Sequence, residues 1–196
     1  MTSLFKTNLD EHLALFAKLE NLAPIVEQST QKIAQSLKTG NKIMLCGNGG
    51  SAADSQHIAA EFTGRLIKDR PPLAAMALST DTSALTCIAN DYSFEEVFSR
   101  QVQGLGRAGD CLLAISTSGN SKNVVRAVEM ANTLGIYTIG LLGCDGGYLK
   151  SQCDLSIIVE SYTTARIQEA HIFIGHIICG DVEQALGLVP PDEGHA

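Results

Sequence analysis

The sequence predicts an α/β protein, a three-layer sandwich in which helices cover both faces of a five-stranded parallel sheet, with a pair of helices at the N-terminus. Five short apolar runs recur along the chain, and each is followed by a polar turn and a helical pattern. The runs are almost continuously apolar, as is typical of strands that helices bury on both faces. With 196 residues and 45% hydrophobic content, the chain is large enough to form one well-packed hydrophobic core. We therefore expect a single domain over residues 1–196.

The N-terminal segment 1–40 predicts the two helices, because apolar residues recur there at helical spacing with polar residues between them. These residues are Leu9, Leu13, Phe16, Ile25, Ile33 and Leu37. The sequence "TGN" at 39–41 ends the second helix. We expect the α/β core to occupy residues 41–190 and a frayed tail to occupy residues 191–196.

The predicted strands lie in the runs "KIMLC", "LAAMALS", "CLLAIS", "IYTIGLLG" and "LSIIV". Helical patterns follow these runs at 51–65, 93–105, 121–134 and 164–186. This alternation of strand and helix is what a parallel sheet with crossover helices requires.

The composition excludes several classes of function. A net charge of -7 disfavours nucleic acid or an anionic membrane surface as a partner, because both would repel the protein. The N-terminal sequence lacks the unbroken apolar core of a signal peptide, and no apolar run is long enough to span a bilayer. The six cysteines form no CxxC pair, so we expect neither disulfides nor a thiolate zinc site. We expect a cytoplasmic protein with no membrane partner.

Two polar turns after predicted strands are suited to a phosphate. The glycine loop, "CGNGGS" at 46–51, combines glycines with Asn48 and Ser51, and the serine loop, "STSGNS" at 116–121, supplies four hydroxyls. Turns at the carboxyl ends of parallel strands lead into helix N-termini, which present free N–H groups and a positive dipole end. Hydroxyls and amides without a lysine favour a phosphate monoester. A third turn, "GCDGG" at 143–147, has neither hydroxyls nor a basic residue and is interpreted as a turn alone.

Other interpretations of these loops stay open. Gly47, Gly49 and Ala52 match the G-x-G-x-x-A spacing of dinucleotide-binding proteins, but the next strand does not end in the required acidic residue. A P-loop is excluded because no lysine stands in the Walker position. In the structural alternative, Ser51 merely caps its helix in the pattern "SAAD", and Ser116 and Ser118 are ordinary turn residues.

Two helical patterns carry residues that could perform chemistry. His57 and Glu61 are four apart, so their side chains share one helix face. The last helix contains "RIQEAHIFIGH", which sets His171 and His176 into an apolar run. In the structural alternatives, His57 and Glu61 are a solvent-exposed pair, and a histidine of the last helix is a buried core residue whose hydrogen bonds are satisfied.

Four segments together resemble the sugar isomerase (SIS) fold and, within it, the phosphoheptose isomerases. They are "CGNGGSAADSQHIAAEFTGR", "ANDYSFEEVFSRQV", "ISTSGNS" and "ARIQEAHIFIGH". The resemblance covers nearly the whole chain and implies a flavodoxin-like parallel sheet. The reaction it implies is aldose-ketose isomerisation of D-sedoheptulose 7-phosphate to D-glycero-D-manno-heptose 7-phosphate, through an enediol(ate), for the heptose of lipopolysaccharide.

The resemblance also implies roles for individual residues. Substrate contacts fall on Asn48, Gly49, Gly50, Ser51, Glu61, Asn90, Asp91, Ser116, Thr117, Ser118, Ser121 and Gln168. The ligands of one Zn²⁺ per subunit fall on His57, Glu61, Gln168 and His176. Glu61 and His176 are also the general base and acid. By residue type alone, Asn90 and Asp91 could instead form a helix cap. Some members have an aspartate where this chain has Ala165, so any proton-relay role of that carboxylate is absent here.

The spacing of two implied zinc ligands predicts an oligomer. Gln168 and His176 are eight residues apart, so on one straight helix they are separated by about 12 Å along the axis and about 80° around it. One metal ion could hardly bind both. We expect one of them to come from a neighbouring subunit unless the helix unwinds near Gly175, and the resemblance implies a homotetramer with shared active sites.

The resemblance leaves two rival functions. One is a non-catalytic relative that binds a phosphosugar or a protein partner, as the replication-initiator-associating SIS protein does. The other is an isomerase of a different sugar phosphate.

Overall fold

The five apolar runs form five parallel strands in the computed structural model, which describes residues 3–189. The strands are β1 (Ile43–Cys46), β2 (Ala75–Ala77), β3 (Cys111–Ser116), β4 (Tyr137–Gly143) and β5 (Leu155–Val159). Their order in the sheet is β2-β1-β3-β4-β5, the flavodoxin-like arrangement. The predicted parallel sheet is confirmed.

Seven α-helices are found among residues 3–189. They are α1 (Leu4–Phe16), α2 (Ala23–Lys38), α3 (Gly50–Thr63), α4 (Thr82–Asp91), α5 (Ser99–Leu105), α6 (Lys122–Thr133) and α7 (Thr164–Ala185). The predicted N-terminal pair corresponds to α1 and α2, which a short 3-10 turn at Leu19–Leu22 connects. The predicted tail, residues 191–196, lies outside the described residues.

Both faces of the sheet are buried, as the continuous apolar runs predicted. In β1, Ile43 and Leu45 pack into the core under α2, α3 and α7, while Met44 and Cys46 pack into the opposite core under α5 and α6. All four residues are fully buried. Such strands bury apolar side chains on both faces of the sheet. Their sequences therefore do not alternate between polar and apolar residues.

One predicted helix differs from the structure. The segment 93–105 begins with extended Ser93 and a 3-10 turn at Phe94–Glu96, and the α-helix starts only at Ser99. Before it, α4 ends at Asp91. Asn90 and Asp91 therefore belong to the last turn of a helix and do not cap the next one.

The parallel sheet brings the two polar loops together. Since β1 and β3 are neighbours in register, the loops that leave Cys46 and Ser116 emerge at the same edge of the sheet. No helix within residues 3–189 has the length and apolarity needed to cross a membrane.

Candidate active site

The glycine loop connects β1 directly to α3. Gly49 has φ +56°, which favours glycine, and a Cβ at Gly47 would lie only 2.7 Å from that of Ser51. Among the described residues, no side chain caps α3, so the interpretation of Ser51 as a capping residue is wrong. The N–H groups of Ser51, Ala52 and Ala53 donate to the carbonyl oxygens of Asn48 and Gly49, so a ligand at this end of α3 would meet the N–H of Gly50 and the positive end of the helix dipole.

The serine loop connects β3 to α6. The hydroxyls of Ser116 and Ser121 are 3.1 Å apart, and Ser118 Oγ accepts a hydrogen bond from Asn120 N (3.2 Å). Within the described residues the Ser121 side chain forms no cap bond, although Ser121 holds the N-cap position of α6. Two hydroxyls and the start of a helix therefore converge in a form suited to an anion.

The third glycine-rich turn supports the serine loop. Gly119 has φ +65°, and a Cβ there would collide with the carbonyl oxygen of Gly146. Leu149 N donates to Gly119 O (3.0 Å), and Tyr148 N donates to Asn120 Oδ1 (2.9 Å). The segment 143–147 thus acts as a structural turn beneath the serine loop.

A hydrogen-bonded pair of asparagines joins the glycine loop to α6, the helix that follows the serine loop. Asn48 Nδ2 donates to Asn123 Oδ1 (2.8 Å), and Asn123 Nδ2 donates to Asn48 Oδ1 (2.8 Å). Asn123 lies in the first turn of α6 and is only 3% exposed. Asn123 was not predicted from the sequence, although its place two positions after the serine loop was a usable signal.

His57, Glu61 and His176 form a cluster, which we call the metal-type cluster. His57 Nε2 lies 3.2 Å from Glu61 Oε1 and 2.9 Å from His176 Nε2, and the three ligand atoms all lie within 4.8 Å of one another. His57 and Glu61 share one face of α3, while His176 comes from α7. Two imidazole nitrogens at this distance need a shared proton or a cation between them.

A glycine on α7 allows the cluster to form. A Cβ on Gly175 would lie 2.5 Å from Ile58 Cδ1, so a larger residue would displace the Ile58 side chain at the contact of α7 with α3. Gly175 precedes His176 directly, and the helix is continuous from Thr164 to Ala185. The alternative in which the helix unwinds near Gly175 is therefore wrong.

Gln168 lies away from this cluster. Its side chain packs against Gly50, so closely that a Cβ on Gly50 would overlap the Gln168 amide. Gly50 begins α3, whereas Glu61 is eleven residues further, about 16 Å along the helix. The chain thus places Gln168 beside the glycine loop and His176 beside Glu61.

Asp54 is a further polar residue near the cluster, and it was not predicted from the sequence. It lies on α3 three residues before His57, and its Oδ2 is buried without a hydrogen-bond partner in residues 3–189. Burial raises the pKa of Asp54 to about 6, and the nearby His57 opposes this shift.

The predicted substrate residues Asn90 and Asp91 are exposed at the end of α4. Asn90 Nδ2 donates to Asp91 Oδ1 (2.9 Å), and Cys87 Sγ donates to Asp91 Oδ2 (3.4 Å). These two hydrogen bonds lower the pKa of Asp91. The described contacts connect neither residue to the two loops or to the metal-type cluster, so their role stays a prediction.

Comparison with known proteins extends over almost the whole chain. A phosphoheptose isomerase of Nitratiruptor sp. is 54% identical over 186 residues, 94% of this chain and 100% of the relative. One of Campylobacter concisus is 51% identical over 185 residues, 94% of this chain and 98% of the relative.

Solved structures agree with these relatives. A phosphoheptose isomerase structure from Neisseria gonorrhoeae has a TM-score of 0.87 at 45% identity and covers 92% of this chain and 97% of its own. Another, from Francisella tularensis, has a TM-score of 0.90 at 36% identity and covers 94% and 100%. The model of the SIS domain family matches residues 9–143. The chain therefore belongs to the SIS domain family, among the phosphoheptose isomerases.

Proposed function

We propose that this protein is an aldose-ketose isomerase that converts D-sedoheptulose 7-phosphate to D-glycero-D-manno-heptose 7-phosphate, a precursor of lipopolysaccharide heptose. One observation carries the proposal. A carboxylate and two imidazoles converge in the metal-type cluster of a chain that also has two phosphate-type loops. Relatives about half identical to this chain carry the name phosphoheptose isomerase.

The chemistry requires proton transfers that the cluster residues can perform. Moving the carbonyl from C2 to C1 removes a carbon-bound proton next to the carbonyl, forms an enediol(ate), and returns protons to carbon and oxygen. The Glu61 carboxylate carries the proton between the two carbons. The His176 imidazole exchanges the proton between the two oxygens.

The cluster residues fit a zinc ion. Imidazole nitrogen and carboxylate oxygen are the donors that catalytic zinc sites use, typically three from the protein with one position open. His57, Glu61 and His176 would hold the ion, with Gln168 as a fourth ligand by resemblance. When bound, Zn²⁺ would polarise the substrate carbonyl and stabilise the enediolate charge.

The two loops would bind the other end of the substrate. The serine loop would take the phosphate through its hydroxyls and the N-terminus of α6, and the glycine loop would contact the sugar. Asn48, Gly49, Gly50, Ser51, Ser116, Thr117, Ser118 and Ser121 are the contacts proposed here, with Asn90, Asp91 and Gln168 added by resemblance.

The active sites would be shared between subunits of a homotetramer. Because Gln168 lies beside Gly50 and His176 beside Glu61, we propose that Gln168 reaches the zinc of a neighbouring subunit. Leu9 and Leu13 on α1, and Phe173 and Ile177 on α7, are exposed apolar residues that a second copy could cover.

We place the protein in the cytoplasm. The six cysteines of the structure are free thiols, which suits a reducing compartment.

The first test measures the isomerisation of sedoheptulose 7-phosphate in D₂O by protein whose metal content has been determined. The Glu61→Gln and His176→Ala variants are assayed in the same way. We expect near-stoichiometric zinc, turnover, and deuterium incorporation at carbon in the wild type, with a loss of at least about 1000-fold in both variants. Binding of the sugar phosphate without turnover would favour the non-catalytic rival. Turnover only of a shorter sugar phosphate would favour the other rival.

The second test mixes two inactive variants, Glu61→Gln and Gln168→Ala, under conditions that exchange subunits. If one site combines Glu61 of one subunit with Gln168 of another, some sites in the mixed oligomer are intact and activity returns. A mixture that stays as inactive as its components contradicts shared sites.

A further inference from the structure

The loop after α3 contains a buried ion pair that the reaction scheme does not use. Arg70 is 8% exposed and Glu183 is 2% exposed, and Arg70 Nη2 lies 2.8 Å from Glu183 Oε1. Arg70 Nε also donates to the same oxygen (2.8 Å). Removing two charges from water is costly, so a pair this deeply buried calls for further hydrogen bonds that compensate.

Those hydrogen bonds go to the end of α3. Arg70 Nη2 donates to the carbonyl oxygen of Glu61 (2.6 Å), and Nη1 donates to those of Phe62 (2.7 Å) and Gly64 (3.1 Å). The last carbonyls of a helix have no partner within the helix, and the negative end of its dipole favours a cation. One guanidinium therefore binds the final turn of the helix that carries His57 and Glu61.

Glu183 connects this turn to the helix that carries His176. It lies on α7, seven residues after His176, so two helical turns separate the residues and their side chains share one face. Glu183 Oε1 additionally accepts from Leu66 N (3.4 Å), which fixes the chain just beyond α3. The pair thus joins the two helices whose side chains make the metal-type cluster.

We infer that Arg70 is a positioning residue that, through Glu183, sets the distance between α3 and α7 and thereby the geometry of the cluster. This inference builds on the proposed function. Arg70 contacts the backbone of Glu61 itself, so displacement of the guanidinium moves the base directly. The two phosphate-type loops lie at the other end of α3 and are held by other contacts.

The chain offers a matched control. Lys42 and Asp110 form a second ion pair with a buried carboxylate, with Lys42 Nζ 2.6 Å from Asp110 Oδ2 and Asp110 only 1% exposed. Both residues immediately precede strands, β1 and β3, at the edge of the sheet opposite the candidate active site. Disruption of this pair should destabilise the fold without disturbing the cluster.

The test compares Arg70→Lys with Lys42→Met in the full-length protein. Lysine keeps the charge but lacks the planar five-donor fork, so it cannot bind Glu183 and the carbonyls together. We expect Arg70→Lys to weaken zinc binding by the apoprotein about 10- to 100-fold and to lower kcat similarly. KM should stay within about threefold, since phosphate binding is retained. Lys42→Met should lower thermal stability and leave the zinc affinity unchanged.

A second variant covers the case in which Arg70→Lys does not fold. Glu183→Gln keeps an amide oxygen that can accept from Arg70, and we expect a smaller loss of zinc affinity in the same direction. Equal zinc affinity and kcat in wild type and both variants would overturn the inference. Wild-type protein that binds zinc but turns over no sugar phosphate would count against the proposed function alone, because the zinc titration still reports the positioning effect.

Discussion

The two phosphate-type loops take their shape from short continuous stretches of sequence, whereas the metal-type cluster depends on how two distant helices pack. Each loop is a six-residue stretch in which a strand passes into a helix, and its glycines and hydroxyls lie close together in the sequence. His57 and His176 are separated by 119 positions in the chain. The loops that would bind the phosphate are therefore recognisable from local sequence, whereas tertiary packing determines the half that would perform the chemistry.

This difference leads to different kinetic consequences. Changes in the loops should act on substrate binding, and so on KM, while changes at the contact of α3 and α7 should act on kcat. Variants in the loops and variants at the contact of α3 and α7 therefore test whether KM and kcat can be changed separately.

Among the variants that test this difference between the two halves, the largest effect is expected from Gly119→Ala in the serine loop. Position 119 has φ +65°, and the added Cβ would collide with the backbone at Gly146, which cannot easily move. We expect a loss of about 2–4 kcal/mol in the free energy of unfolding and a loss of about 100-fold in kcat/KM, mainly through KM. Urea unfolding and steady-state kinetics measure the two effects. In α5, a Cβ on Gly104 meets no atom within 4 Å, so Gly104→Ala is the neutral control.

A smaller effect is expected from Gly175→Ala at the contact of α3 and α7. The added Cβ meets only the end of the Ile58 side chain, which can shift, so the cost in stability is about 1–2 kcal/mol. Ile58 directly follows His57 on α3, so its displacement disturbs the metal-type cluster, and we expect kcat to fall about tenfold with KM unchanged. On the same helix, Gly180→Ala would make an ordinary 3.5 Å contact with Leu66 and should be silent. A rise in KM instead would show that the two halves are coupled.

The asparagine pair tests the connection within the loop half. Asn123→Ala removes both hydrogen bonds to Asn48 and leaves its amide free to rotate. We expect KM to rise about tenfold and kcat to change little, because each lost bond contributes about 1 kcal/mol. Asn132→Ala, at the far end of α6, removes a bond to Gln152 and serves as the control. Equal KM values in the two variants would contradict a role for Asn123 in orienting Asn48.

The sequence predicted the strands far better than it predicted α4. Every strand lies within a predicted apolar run because burial on both faces demands continuous apolar residues. None of the residues of α4 is fully buried, and from the sequence its last turn at Asn90 and Asp91 could not be separated from the cap of the next helix. The helix at 93–105 was predicted too long for a related reason, since Ser93 adopts an extended conformation that local propensity does not reveal.

The site could be predicted only where its chemistry is local. The two loops and the i,i+4 pair of His57 and Glu61 are visible as patterns. By contrast, Asn123 and Arg70 act through partners far away in the chain, namely Asn48, the end of α3, and Glu183. Their role depends on which elements pack together, which spacing along the sequence does not specify.

The smallest effect on activity, and a distinct effect on stability, is expected at His171. This side chain is fully buried on α7, and neither ring nitrogen has a hydrogen-bond partner among residues 3–189. Burial lowers the pKa of His171 to about 4, and the backbone of Leu142 opposes the shift without offering a well-formed bond. Since the unfolded chain takes up a proton below its ordinary value of 6.5, the unfolded state binds more protons than the native state between pH 6.5 and 4.

The free energy of unfolding should therefore fall as the pH drops through that window, by about 3 kcal/mol in total for this one group. His171→Leu removes the titrating ring and the two unpaired nitrogens. We expect it to fold as well as wild type at pH 7, within about 1 kcal/mol, and to lose part of the acid sensitivity. Urea unfolding at pH 7, 5.5 and 4.5 measures the difference, with kcat at pH 7 as the activity readout. An identical pH dependence in the two proteins would mean that His171 is protonated or paired in the native state.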